Sequence, residues 1–226
     1  MQGLINTESI RKEAKNMRKG STDPKKNRFF NKVEKHVRAV CEDKTDEVMK
    51  KAFEGYKKIV NENIDEPEIM YPHTRERIYP AIAIFYALLD FGLSREESSK
   101  LILDYYIYMS KKGGSVLRGL LKIPGLYKKV PSIAYKAIEK SYGEDAGFKA
   151  EFLITTKDEL KVDMFVCPYF EICKKYGCPE IVNAFCTSDD IAYGNMHKNL
   201  KWHREQTLGR GGDRCDFNIK IEKNNK

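Results

Sequence analysis

No uninterrupted apolar run of membrane-spanning length occurs in the 226 residues. The opening Met1-Gln2-Gly3-Leu4 passes straight into charged sequence, without the apolar core of an export signal. A soluble, cytoplasmic protein with no membrane span is the expectation. Internal repeats and low-complexity segments are also missing, which sets aside solenoid and fibrous architectures. No nucleic-acid docking motif is present. The net charge of +8 is carried by lysines interleaved with Asp and Glu, so the basic balance reads as solvated helix faces rather than a nucleic-acid stripe. Short C-x2-C or C-x2-H pairs are absent too. Such pairs let one turn present two ligands to a tetrahedral ion, so the spacing C-x5-C-x4-C-x7-C from Cys167 to Cys186 argues against a metal site, and no cofactor is called for. Six cysteines without an export signal are read as free thiols in a reducing compartment.

What the chain does contain is enough apolar sequence, 41%, for an ordinary core, and a change of periodicity partway along it. Up to about residue 140 the apolar residues recur at three-and-four spacing, the helical period. Phe29, Val33, Val37, Val40 and Cys41 form one face; Val48, Ala52, Tyr56 and Ile59-Val60 form a second after the polar break at Asp43–Asp46. Beyond Pro67 and Pro72 a more apolar helix is predicted over Ile78–Phe91, ended by Gly92. Ser94-Arg95-Glu96-Glu97 is a capping box that starts another helix, with Leu101, Ile102, Tyr105 and Met109 inward. From Val116 to Tyr142 leucines and isoleucines alternate with Gly119, Pro124, Gly125 and Pro131. Interrupted helices packing inside the protein are favoured there over an amphipathic segment lying on a membrane or partner.

After a linker near Gly143–Gly147 the period falls to two. Phe148, Ala150, Phe152 and Ile154, then Lys161–Val166, predict a hairpin turning at Lys157–Glu159. Helices are expected over Pro168–Tyr176, Pro179–Phe185 and Ile191–Met196, and strands over Leu200–Leu208 and Cys215–Ile221, joined across Gly209–Asp213. The fold class is therefore α+β. A helical region over 1–145 packs with an α+β region over 146–226 that holds an antiparallel β-sheet and short helices, the two forming either separate domains or one integrated domain.

The dense chemistry lies in the last quarter. Cys215 follows a glycine-rich turn flanked by Arg210 and Arg214, where positive charge and turn amides favour a thiolate nucleophile; a buried strand cysteine weighs equally. Register decides its neighbours. A turn centred between Arg210 and Gly211 puts Cys215 opposite Gln206 and on the face of Arg204, whereas a one-residue change brings Glu205, Thr207 and His203 close. Asp189-Asp190 reads slightly better as an N-cap for a helix at Ile191 than as a paired-carboxylate site.

The run Cys167-Pro168-Tyr169, Tyr176-Gly177-Cys178-Pro179-Glu180, Phe185-Cys186-x-x-Asp189 and Arg204-x-x-Thr207-Leu208, leading to Gly211-Gly212-Asp213-Arg214-Cys215-Asp216-Phe217, resembles the L-2-amino-thiazoline-4-carboxylic acid hydrolase family. Arg77-Ile78-Tyr79-Pro80-Ala81-Ile82-Ala83 is similar to its helical segment. The resemblance implies a hydrolase acting on a non-peptide C–N bond of a small carboxylated substrate, a cyclic amidine or an N-carbamoyl amino acid; with the cysteine spacing, a reaction without a metal is expected. The resemblance implies site residues at Cys215 and Asp189 for catalysis and at Arg204, Cys186 and Asp216 for binding; His203, which the family pattern does not call for, is a further catalytic candidate from its place in this chain. Either Cys215 attacks covalently, with Asp189 protonating the departing nitrogen, or Asp189 activates water while Cys215 lines the pocket. The same glycine turn, cysteine and aromatic strand also resemble the small-molecule-binding domains related to 4-vinyl reductases, which implies a sensor instead. The expected partner is a small molecule, with self-association left open.

Overall fold

The computed structural model describes residues 22–222. The chain is α+β, with a helical N-terminal half and a four-stranded antiparallel sheet in the C-terminal half. It divides into two compact units at Gly92/Leu93. That boundary lies upstream of the expected linker at 143–147, because the helices that follow Gly92 pack with the elements around the sheet.

In the first unit α1 (Phe30–Cys41), α2 (Thr45–Glu62) and α3 (Tyr79–Asp90) enclose Phe30, Val33, Val37, Ala52, Tyr56, Ile82 and Phe85, all essentially inaccessible. Phe30 meets Phe53 and Tyr56 edge-on at 5.0 and 5.4 Å. A five-residue π-helical turn, Thr74–Ile78, leads into α3. Buried there, Arg75 pairs with Glu66 at 2.9 Å, and the Tyr79 hydroxyl donates to the other Glu66 oxygen at 2.9 Å. Taking an ion pair out of water costs desolvation that further hydrogen bonds offset; Tyr79 supplies one to Glu66, while Arg75 Nη2 is buried without an acceptor.

The second unit opens on α4 (Arg95–Leu120), whose capping box forms as expected. The Ser94 hydroxyl accepts the Glu97 N–H, and the Glu97 carboxylate accepts the Ser94 N–H at 2.8 Å, which holds that carboxyl below its usual range. The helix runs through Gly113-Gly114 to Leu120, further than the sequence suggested. A Cβ on Gly114 would lie 3.2 Å from the Ala192 carbonyl, so this glycine sets how closely α4 approaches α7 (Val182–Tyr193). α5 (Val130–Ser141) lies on one face of the sheet, where Leu117, Leu126, Val130 and Ala134 pack on Leu121, Met196, Leu200 and Ile219.

The strands β1 (Lys149–Thr155), β2 (Glu159–Val166), β3 (Leu200–His203) and β4 (Cys215–Ile221) are ordered β1-β2-β4-β3, the expected β-β-α-β-β path with α6 (Pro168–Lys175) and α7 between the hairpins. Leu160, Val162, Met164, Trp202, Cys215 and Ile219 point to the helix-covered inner face, and Lys161, Asp163, His203 and Asp216 alternate to the outer one. Two expectations are corrected. Pairing of β3 stops at His203 instead of running to Leu208. Asp189-Asp190 caps nothing, because α7 is one continuous helix through both residues, with no proline or glycine between Val182 and Tyr193 to break it. Of the two registers the first is realised: His203 faces Asn218 and Trp202 faces Ile219, in step with a turn centred between Arg210 and Gly211.

Candidate functional site

Strand alternation divides the expected site residues between the two faces of the sheet. Cys215 and Arg204 face inward towards α7, whereas His203 and Asp216 face outward. The structure thus brings Cys215, Cys186, Arg204 and Asp189 together, and separates them from His203 and Asp216.

On the inner side the loop from Arg204 to Arg214 folds against α7. Arg204 leaves the strand direction because its guanidinium reaches into the helix: Nη2 donates to the Cys186 carbonyl at 2.8 Å and to Asp190 Oδ1 at 2.6 Å, with Asp189 Oδ2 at 3.8 Å from Nη1. The side chain is only 3% exposed, and its Nε is buried without an acceptor. Trp202 and Phe217 supply ring faces 5.8 and 5.3 Å from the guanidinium carbon. Arg210 makes a second set of ties, to Asn183 and Thr187 at 3.1 Å and to Asp190 Oδ2 at 2.9 Å. Gly209 is where the loop touches the helix, since a Cβ there would lie 2.5 Å from Val182 Cγ1 and 3.1 Å from Cys186 Sγ.

The thiols of this cluster are not poised as thiolates. Burial pushes Cys215 up to about 11, with the Leu208 N–H, donated to Sγ at 3.3 Å, and Arg204 pulling the other way without prevailing. Cys167 is raised to about 12, again by burial. Cys186 is raised for the same reason, against the Thr207 hydroxyl and Arg204. The turn chemistry that favours a thiolate in the sequence is therefore outweighed by desolvation. Cys173 is fully buried.

On the outer face lies a groove of about 380 Å³. Its floor holds Asp163 and Asp216, paired directly across β2 and β4, and like charges in that position oppose each other. Asp216 accepts the Glu205 and Gln206 backbone N–H groups at 3.1 and 2.8 Å, which ties the start of the loop to the sheet. Asp163 is 8% exposed; its Oδ2 pairs with Arg214 Nε at 2.8 Å, and its Oδ1 is buried with no hydrogen-bond partner. At the rim His203 Nε2 stands 3.2 Å from Glu205 Oε1, an imidazole oriented by a carboxylate. Lys161, Lys201 and Lys220 complete the walls with Glu159, whose carboxyl is held low by the Asn218 amide and by Lys220.

Sequence reasoning missed Asp163, and named Glu205 and Arg214 only as neighbours of Cys215. The available signal was Asp163 itself, a carboxylate at an outward position within the apolar run Lys161–Val166. Its partner Asp216 becomes visible only once β2 and β4 are paired. Among the described residues no group of three or more His, Cys, Asp or Glu is arranged to hold a metal ion, and no helix is long and apolar enough to cross a membrane.

Neither the curated proteins nor the solved structures contain a match to the chain. A family model described as L-2-amino-thiazoline-4-carboxylic acid hydrolase matches residues 72–219, a span that starts just before the π-helical turn, ends within β4 and takes in the inner cluster and most of the groove. With well over half of its length inside that match, the chain belongs to the L-2-amino-thiazoline-4-carboxylic acid hydrolase family.

Proposed function

We propose that the protein hydrolyses a non-peptide C–N bond in a small carboxylated substrate, and that the substrate occupies the groove on the outer face of the sheet. Family membership supports the reaction class. The placement is carried by Asp163 Oδ1, a buried carboxylate oxygen with no donor, in the wall of a concavity that also holds the His203–Glu205 pair. Buried acceptors are nearly always satisfied, and an amidine or ureido N–H supplies what this oxygen lacks. The groove is also of the size small-molecule sites have, roughly 300–1,000 Å³.

In this scheme Asp163 holds the substrate nitrogen, and Arg214 or Lys161 receives its carboxylate. His203, oriented by Glu205, takes a proton from water as the water oxygen bonds to the electrophilic carbon. The C–N bond then breaks, and the proton passes from the imidazolium to the departing nitrogen. No covalent enzyme intermediate is needed. Cys215, Cys186, Arg204, Asp190 and Arg210 brace the loop that carries Glu205.

A second reading places the chemistry on the inner side, with Asp189 activating water. Its support is that Asp189 is 42% exposed beside Arg204, whose Nε has no acceptor. The third, a sensor without turnover, predicts stabilisation by ligand and no product.

The test is product release from 2-amino-thiazoline-4-carboxylate and, separately, N-carbamoyl-L-cysteine, with wild type and His203→Gln. Turnover that falls about 10²–10⁴-fold in His203→Gln, with the fold intact by circular dichroism, is the expected result. Unchanged turnover in that variant excludes His203 as the base, and ligand stabilisation without product favours the sensor.

A further inference from the structure

Between Asp104 and Glu139 the sequence has seven basic side chains and no acidic one. In a chain whose charges are elsewhere interleaved, this is the one long stretch of single sign. It is also where apolar side chains are left in solvent: Val116 is 62% exposed, Leu120 52%, Ile123 54% and Ile133 54%. The packing explains why both occur together. Leu117, Leu121, Leu126 and Val130 turn inward onto Met196, Leu200 and Ile219, which fixes the end of α4, the turn at Gly125 and the start of α5 in place. The residues between them then point outward. Val116 and Leu120 are one turn apart on the same side of α4, and Ile123 follows at the turn, where its N–H bonds the Leu120 carbonyl at 3.1 Å. Lys112, Lys122, Lys128 and Lys129 are exposed among them.

We infer that this edge, from the end of α4 to the start of α5, is a docking surface for an anionic lipid bilayer. A second copy of the chain is disfavoured, because an isologous contact would set the same lysines against each other. A protein partner is disfavoured by the arrangement. Protein interfaces gather apolar side chains into a core depleted of lysine, whereas here each apolar side chain is flanked by one. Interleaving suits the headgroup layer, where Leu120 and Ile123 enter the acyl boundary and the lysine stems reach back to lipid phosphates. The mode is peripheral and independent of the groove.

The experiment is co-sedimentation of the full chain with vesicles of phosphatidylcholine alone and with about 30% phosphatidylserine, at roughly 0.05 and 0.5 M NaCl. Partitioning is expected to be at least about tenfold higher on the anionic vesicles and to fall about tenfold at the higher salt. It should also fall at least about tenfold in the double variant Leu120→Asp, Ile123→Asp and several-fold in Lys128→Gln, Lys129→Gln. All four positions are exposed, so the variants should fold, which circular dichroism checks. No preference for anionic vesicles overturns the inference. So does binding that both variants leave unchanged, since it would then arise elsewhere on this basic chain.

Discussion

A cysteine beside two arginines and a glycine turn has, in the sequence, the attributes of a nucleophile, and Cys215 shows how burial reverses them. The neighbouring charges act, but desolvation of the thiolate is larger, and the group settles at about 11. Two consequences are measurable. At neutral pH alkylation of Cys215 by iodoacetamide should be slower by orders of magnitude in the native protein than in urea; fast native labelling would mean an accessible thiolate. The second concerns stability. The folded-state value lies above the ordinary 9.0, so the native thiol keeps its proton while the unfolded one releases it. The contribution is complete below pH 9 and lost as pH rises through about 11. By pH 10.5 the loss from this group is about 2 kcal/mol, so urea midpoints should fall more steeply between pH 8 and 10.5 in wild type than in Cys215→Ala. Parallel curves would contradict the assignment.

Elements defined by local chemistry were legible, and those defined by distant partners were not. Ser94 and Glu97 write the start of α4 within four residues, and the Cys215–Ile221 strand declares itself by alternation. The end of β3 is different. Nothing near His203 says that pairing stops there; Arg204 is drawn away by Asp190 and by the Cys186 carbonyl, both on α7. Asp189-Asp190 looked like a cap because short polar residues precede Ile191, yet the arginines of the loop hold both carboxylates' helix against it. Gly209 is the sharpest probe of this docking. Gly209→Ala must push its Cβ into Val182 or move the loop. The expected cost is about 1–3 kcal/mol by denaturant unfolding, with turnover reduced through displacement of Glu205. Wild-type stability and activity in that variant would show that the loop does not need its close contact with α7.

At the scale of the whole molecule, the α+β class and the β-β-α-β-β path follow from the change of period near Gly147, and the structure bears both out. The division into units was not legible, because the break at Gly92 reads locally as one more helix end, while the fact that α4 belongs with α7 appears only through their close approach at Gly114. The candidate site was half legible. His203 and Asp216 stand in the groove, apart from Cys215 and Asp189; alternation along a strand separates 203 from 204 and 215 from 216, but the choice between the two registers, and with it which residues share a face, is made by the folded sheet. The groove's third member, Asp163, is joined to Asp216 by sheet pairing alone. The most direct measurement is therefore kcat/KM for 2-amino-thiazoline-4-carboxylate in Asp163→Asn and Asp189→Asn side by side. A loss of about 10²-fold or more in Asp163→Asn, with Asp189→Asn within about tenfold of wild type, is the predicted result. The reverse order would place the substrate on the inner side of β4 and contradict the account.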